Sequence, residues 1–298
     1  MNWIILVLTA TVIWSIAGII NKFCRVSYIE SSLGYLIFIA PASFFAAILL
    51  LFEPFTLLPA KEAFFALLTG VAITIGYYLY LEAIHKEEIS KVFILFGVGP
   101  LFVLVLSTIF LKEVLTIHQY IAFALIFIGS TLMLFKRIEH KIKLTFGALL
   151  VLLSSFFFSV QDVILKYISK VNLTTMMFYR EAGYLASILI ILLISPKARK
   201  HTKKVITDLN LKQTALVYGA EMMGMTGVFF AYLAIQRGPV SLVKVMHGFE
   251  TIFVMIFTVI LSLYFPKIIK EELNLKTIAI KMISIVLMLG GLFLIAVK

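Results

Sequence analysis

Long apolar runs, each about the length needed to cross a bilayer, follow one another along nearly the whole chain: near residues 3–21, 32–52, 63–84, 90–110 and 117–135, then near 145–165, 174–195, 213–235, 239–265 and 277–297. A hydrocarbon core of roughly 30 Å takes about 20 residues of α-helix, so the pattern predicts ten membrane-spanning helices. A barrel would show short segments of alternating polarity, whereas these runs are continuously apolar. The predicted fold class is an all-α membrane protein.

The second five runs repeat the first five. Trp14-Ser15 through Asn21-Lys22 corresponds to Phe158-Ser159 through Leu165-Lys166, each pattern ending in a lysine seven residues after its serine. Leu50-Leu51-Phe52-Glu53-Pro54 closes the second run as Leu192-Leu193-Ile194-Ser195-Pro196 closes the seventh. Ala66-Leu67-Leu68-Thr69-Gly70 matches Ala215-Leu216-Val217-Tyr218-Gly219, and Ala83-Ile84, Ile89-Ser90 and Gly97 match Ala234-Ile235, Val240-Ser241 and Gly248 at a constant offset. A unit with an odd number of spans re-enters the membrane facing the other way. The chain therefore divides into two inverted five-helix repeats, residues 1–140 and 141–298, the arrangement found in secondary transporters.

Composition agrees. With 62% hydrophobic and only 14% charged residues, the polar surface is too small to cover a water-facing globule. Met1-Asn2-Trp3 lacks a basic leader and the first run is long enough to span, so that helix is expected to stay in the mature chain. Cys24 is the single cysteine and leaves no intrachain disulfide. The net charge of +11 sits in short loops beside the spans and points to lipid headgroups, not nucleic acid. Most Lys and Arg lie after the first, third, fifth, seventh and ninth spans, notably Lys136, Arg137, Lys141 and Lys143 and the run from Lys197 to Lys212. By the positive-inside bias, both termini are then outside.

These residues resemble the drug/metabolite transporter superfamily, and within it the EamA-type permeases with two five-helix repeats. The resemblance rests on Trp14-Ser15 followed by Asn21-Lys22, on Gly97-Val98-Gly99-Pro100-Leu101-Phe102, and on Lys112-Glu113-Val114-Leu115-Thr116. In the second half it rests on His247-Gly248-Phe249-Glu250-Thr251-Ile252-Phe253 and Glu271-Glu272-Leu273. It covers essentially the whole chain through the order and spacing of motifs that are individually weak. Thr251 stands where the resemblance implies the proline that Pro100 supplies in the first half. The resemblance also implies cytoplasmic termini, against the charge bias, and efflux more often than uptake.

Ionisable groups inside spans are costly, roughly 2.5 to 3.5 kcal/mol each at a helix centre, and must face a partner or a wet cavity. They concentrate in the second half: Asp162, Lys166, Arg180, Glu181, Glu221, Lys244, Glu250 and Lys281, four of each sign, against little besides Lys22 and Glu82 in the first. Such balance predicts mutual pairing around one interior space. Glu221 and Glu250 lie deepest and are the leading candidates for substrate and proton contact. His247, three residues from Glu250 on one helix, joins them as a coupling candidate, since a histidine beside a carboxylate can titrate near neutral pH; the alternative is that it only packs. Arg180 and Glu181 are expected to point apart, leaving Arg180 to hold a substrate anion or to pair with Glu221 or Asp162. The frequency of such an arginine in the resembled family favours the structural role. Asp162 and Lys166, four apart, are expected to form a local pair, and Lys281 to snorkel.

Trp14, Tyr77 and Tyr80 complete the predicted binding site, because a tyrosine in lipid needs a partner for its hydroxyl; Tyr78, Tyr179 and Tyr232 are further cavity candidates. Glycines at 70, 76, 97, 99, 219, 224, 227, 290 and 291 would allow close helix approach, and Gly97-Val98-Gly99-Pro100 could open the backbone ladder. The function expected is secondary active transport, by alternating access, of a small organic metabolite such as an amino acid or amphipathic compound. The resembled superfamily also implies a nucleotide-sugar or sugar-phosphate exchanger as the nearest alternative, and a passive channel or structural membrane protein is the alternative outside transport. No HExxH or paired nucleophile suggests an enzyme; no catalytic residue, cofactor or metal is predicted. The partners expected are the small-molecule substrate and the lipid of the cell membrane, with a monomer or homodimer as the functional unit.

Overall fold

The computed structural model describes residues 2–51, 54–86, 96–135, 146–250, 252–254, 257 and 275–296, and every regular element among them is helical. In chain order they are α1 (Trp3–Ser27), α2 (Ser32–Phe38) continued as a 3₁₀ segment (Ala40–Leu51), α3 (Ala60–Lys86) and α4 (Gly99–Leu106), which ends in a π turn (Ser107–Leu111). There follow α5 (Ile117–Phe135), α6 (Phe146–Tyr167), α7 (Leu173–Ile194), α8 (Pro196–Asp208), α9 (Leu211–Arg237), α10 (Val240–Met246) and α11 (Leu275–Ala296). Among the described residues, five stretches are long and apolar enough to cross a membrane: Trp3–Arg25, Ala60–Ala83, Phe146–Tyr167, Leu173–Ile194 and Leu211–Arg237. Shorter apolar helices lie at Ser32–Ala46, Gly99–Leu111, Ile117–Gly129 and Met282–Ile295. Lys136, Arg137, Lys141, Lys143, Thr251, Glu271 and Glu272, and the side chains of Lys22 and Lys281, fall outside the described residues.

Local sequence sets the helix ends. Asn2 and Asn172 accept from the backbone amides of Ile4 and Thr175 at 3.2 and 2.8 Å, and Asn210 with Gln213 forms a reciprocal capping box that starts α9. Ser195 caps and Pro196 begins α8. The basic run after residue 196, read from the sequence as a loop, is therefore helical. It docks on α2 through buried Ala198 and Val205, while Lys197, Arg199, Lys200, Lys203 and Lys204 ride on the same short helix.

Two apolar stretches are broken. The backbone turns at Gly97 and Val98 before α4 starts with Pro100 in its first turn, and again at His247 and Gly248 after α10. The first break follows from proline, which cannot donate the ladder hydrogen bond. The second occurs with no proline at those positions.

Helices pack in lipid by close van der Waals approach instead of by hydrophobic burial. α1 lies along α9, α3 along both α6 and α7, α5 along α11, and α4 against α6 and α10. Where α3 crosses α7, a Cβ on Gly183 would overlap the carbonyl of Leu67, and one on Gly70 would overlap the carbonyl of Arg180. Among the described residues the apolar core divides into two large clusters and a small one around Ala83, Leu150 and Val151. One large cluster holds Leu6 and Val7 of α1, Ala66 of α3, Met176 of α7 and Ile235 of α9; the other holds Cys24, Leu81, Ile188 and Val217 of the same helices. Between them on these helices lie Trp14, Thr69, the Arg180–Glu181 pair and Glu221, a polar waist across the bundle.

Candidate functional site

Glu221 is the centre of the waist. Its Oε1 accepts from the Tyr77 hydroxyl of α3 at 3.1 Å and lies 3.3 Å from the Tyr35 hydroxyl of α2. That Tyr35 hydroxyl also donates to Asn21 Oδ1 of α1 at 2.8 Å, which brings α1, α2, α3 and α9 to one carboxylate. Tyr77 stacks on Tyr80 with ring centroids 5.9 Å apart, and Tyr80 lies within electrostatic reach of both Glu221 and Glu250. Trp14 donates its indole N–H to Gly224 O at 2.9 Å and meets the His247 ring edge-on at 5.0 Å. Gly227 lets this happen, since a Cβ there would sit 2.5 Å from the indole nitrogen. Ser15 reaches from α1 to Glu250 O at 3.2 Å. The structure thus gathers Trp14, Tyr77, Tyr80, Glu221, His247 and Glu250 in one neighbourhood, each half-buried and keeping some accessible surface.

Arg180 is placed elsewhere. Its guanidinium hydrogen-bonds Glu181, the neighbour from which it was expected to diverge, and the pair is buried. Ser43 donates to the other oxygen of Glu181 at 2.7 Å, and the guanidinium lies over the Tyr232 ring, 5.8 Å from its centroid. The two long side chains bend toward each other, which the angular spacing of adjacent helical positions does not prevent. The expected Asp162–Lys166 pair is also replaced. Asp162 binds Lys244 Nζ of α10 at 2.7 Å, while Lys166 donates to the carbonyls of Ile235 and Gly238 at 2.8 and 2.6 Å, satisfying the end of α9. The Glu250 amide donates to the His247 carbonyl at 2.9 Å, while the buried Nε2 of the His247 ring has no hydrogen-bond partner among the described residues.

Tyr35 and Asn21 are site residues that sequence reasoning did not assign. The signal available for Tyr35 was the one that marked Tyr77, a hydroxyl within an apolar run. Glu113, within the motif at residues 112–116, accepts through its carboxylate from the amides of Val240 and Ser241 at 2.9 and 3.3 Å and from the Ser241 hydroxyl at 2.5 Å, capping α10. Ser107 joins Ser241 at 2.7 Å.

An open cleft of about 470 Å³ lies apart from the carboxylates, between residues 27–33, Glu82 and the α8 residues Lys197, His201, Lys204 and Asp208. Glu82 follows Tyr77 by five positions on α3, so the cleft begins about 8 Å along the helix axis from the waist, at 1.5 Å per residue.

Apolar helices around a polar waist define an integral membrane protein. Residues 1–135 match the EamA-like transporter family, which bears out the resemblance carried by the motifs. An uncharacterized protein of Methanocaldococcus jannaschii is 36% identical over 86 residues, 29% of this chain; the match spans 63% of that relative's length. A protein solved by crystallography superposes with a TM-score of 0.70 at 15% identity, covering 97% of this chain and 95% of its own. That likeness is one of fold.

Proposed function

We propose that the chain is a multi-pass carrier of the cell membrane that moves a small organic metabolite by alternating access around the waist. Residues 1–140 and 141–298 form two oppositely inserted five-helix repeats. The packing supports this. A two-fold axis relating the halves turns the pairing of the first span with the eighth (α1 with α9) into that of the sixth with the third (α6 with α3), and maps the fifth–tenth pair (α5 with α11) onto itself. The observation that carries the reading is Glu221, a carboxylate of the second half held by Tyr35 and Tyr77 of the first. A substrate or proton that alters this carboxylate changes contacts between the two halves, which is the coupling a carrier needs. Trp14, Tyr77, Tyr80, Glu221, His247 and Glu250 form the site, with Glu221, His247 and Glu250 as coupling groups. The cleft at α8 is the vestibule. Arg180, already bound to Glu181, holds the scaffold.

Purified protein in proteoliposomes under an imposed pH gradient tests the reading. Accumulation of a solute against its own gradient is expected from the carrier, and Glu221→Gln is expected to cut flux at least about tenfold, the loss of one charged hydrogen-bond acceptor in a buried site. Flux that only follows the solute gradient indicates a channel. Unaltered accumulation by both Glu221→Gln and Glu250→Gln removes these carboxylates from the mechanism.

A further inference from the structure

Among the described side chains, each cation at the waist already has a partner. Arg180 is bound to Glu181, Lys244 to Asp162 at 2.7 Å, and Lys166 to two backbone carbonyls. Among the described residues, Glu221 and Glu250 have no ion-pair partner. The groups around Glu221 are hydroxyls and an amide, which hold a carboxylate in place without neutralising it. Lys244 is within electrostatic reach of Glu250, but its ammonium hydrogen-bonds Asp162.

The remaining walls are aromatic. The stacked Tyr77 and Tyr80 rings flank Glu221, and Trp14 stands beside Gly224 one turn further along α9. Nothing lies within 4 Å of where a Cβ on Gly224 would be, so the surface of α9 is open at that position. The orphaned His247 Nε2 adds an unused hydrogen-bonding position. Two unneutralised carboxylates among electron-rich ring faces are the complement of a positive charge on an apolar body.

Resting on the reading of this waist as the transport site, we propose that the substrate is an organic cation, an amine or quaternary ammonium carrying an apolar or aromatic group and no carboxylate. An amino acid brings a carboxylate that would need its own cation, and a sugar phosphate brings a doubly charged anion. Freeing Arg180 or Lys244 for either would leave Glu181 or Asp162 buried and unpaired. A substrate with positive charge alone completes the balance without breaking a pair.

Three ligands with the same phenyl body separate the classes: 2-phenylethylamine, phenylalanine and 3-phenylpropionate, titrated against the full chain carrying Trp3→Phe in lipid nanodiscs while Trp14 fluorescence is followed. The amine is expected to bind at least about tenfold more tightly than the other two, and Glu221→Gln to weaken it by a similar factor. Tyr80→Leu, which removes a ring wall and leaves every carboxylate in place, is expected to weaken it several-fold. Phenylalanine or phenylpropionate binding as tightly as the amine overturns the proposal, as does no amine binding at millimolar concentration. If phenylalanine binds and Glu221→Gln still weakens it, the class of substrate fails while the site stands. Binding of any of the three that is unmoved by Glu221→Gln, Glu250→Gln and Tyr80→Leu removes the site as well.

Discussion

Asp162 and Lys244 meet across 82 positions of sequence, and both side chains are largely shielded. Removing one partner of such a pair leaves an uncompensated charge in a low-dielectric interior, whereas removing both leaves only a packing defect. Asp162→Asn and Lys244→Met are each expected to destabilise the protein by about 3 kcal/mol, and the double variant by clearly less than the sum. Thermal unfolding of the four proteins in detergent measures the coupling; additive losses would show that the pair contributes nothing. The same logic explains Lys166, whose ammonium satisfies carbonyls at the end of α9 that no intrahelical donor reaches. A single carboxylate at position 221 is tolerated because three polar side chains converge on it.

At the scale of elements, small residues set how closely helices approach. α3 and α7 touch backbone to backbone through Gly70 and Gly183, and the contact holds the Arg180–Glu181 pair at the level of the waist. Gly183→Ala is expected to cost at least about 1 to 3 kcal/mol, the range for overpacking, because the atom in the way is the main-chain oxygen of Leu67 and not a side chain that can turn aside. A melting temperature equal to that of the parent would mean that α3 can shift freely, and the close approach would then carry no structural weight. The break after α10 has the opposite character. Its turn at His247 and Gly248 leaves the His247 ring beside Trp14 and the Glu250 carbonyl within reach of Ser15, so an interruption in regular helix is what brings this segment against α1.

Across the whole molecule the two ends of the bundle differ. At the end carrying the N-terminus, Glu113 caps α10, Ser107 meets Ser241, and Asn172 and Thr175 bond to Pro54 and Thr56. At the other end lies the open cleft. A carrier working by alternating access must part the first set of contacts to release its substrate there. Ser107→Cys with Ser241→Cys, in a Cys24→Ala background, is expected to form a disulfide on oxidation because the two hydroxyl oxygens lie 2.7 Å apart. Flux in proteoliposomes should stop on oxidation and return with reductant. Full flux by the cross-linked protein would show that this end need not open.

Hydropathy is a sum over neighbours in sequence, so apolar stretches and their approximate ends could be read without any knowledge of packing, and so could the cost of placing Glu221 and Glu250 within them. Trp14, Tyr77 and Tyr80 were legible for the same reason, as polar atoms in apolar runs that need partners. Partner choice was not. Whether Arg180 turns to Glu181 or Glu221, whether Asp162 takes Lys166 or Lys244, and that Tyr35 shares a carboxylate with Tyr77 depend on distances between helices far apart in the chain. Charge pairing in an apolar medium goes to whichever opposite charge is nearest in space, and only the tertiary structure decides which one that is.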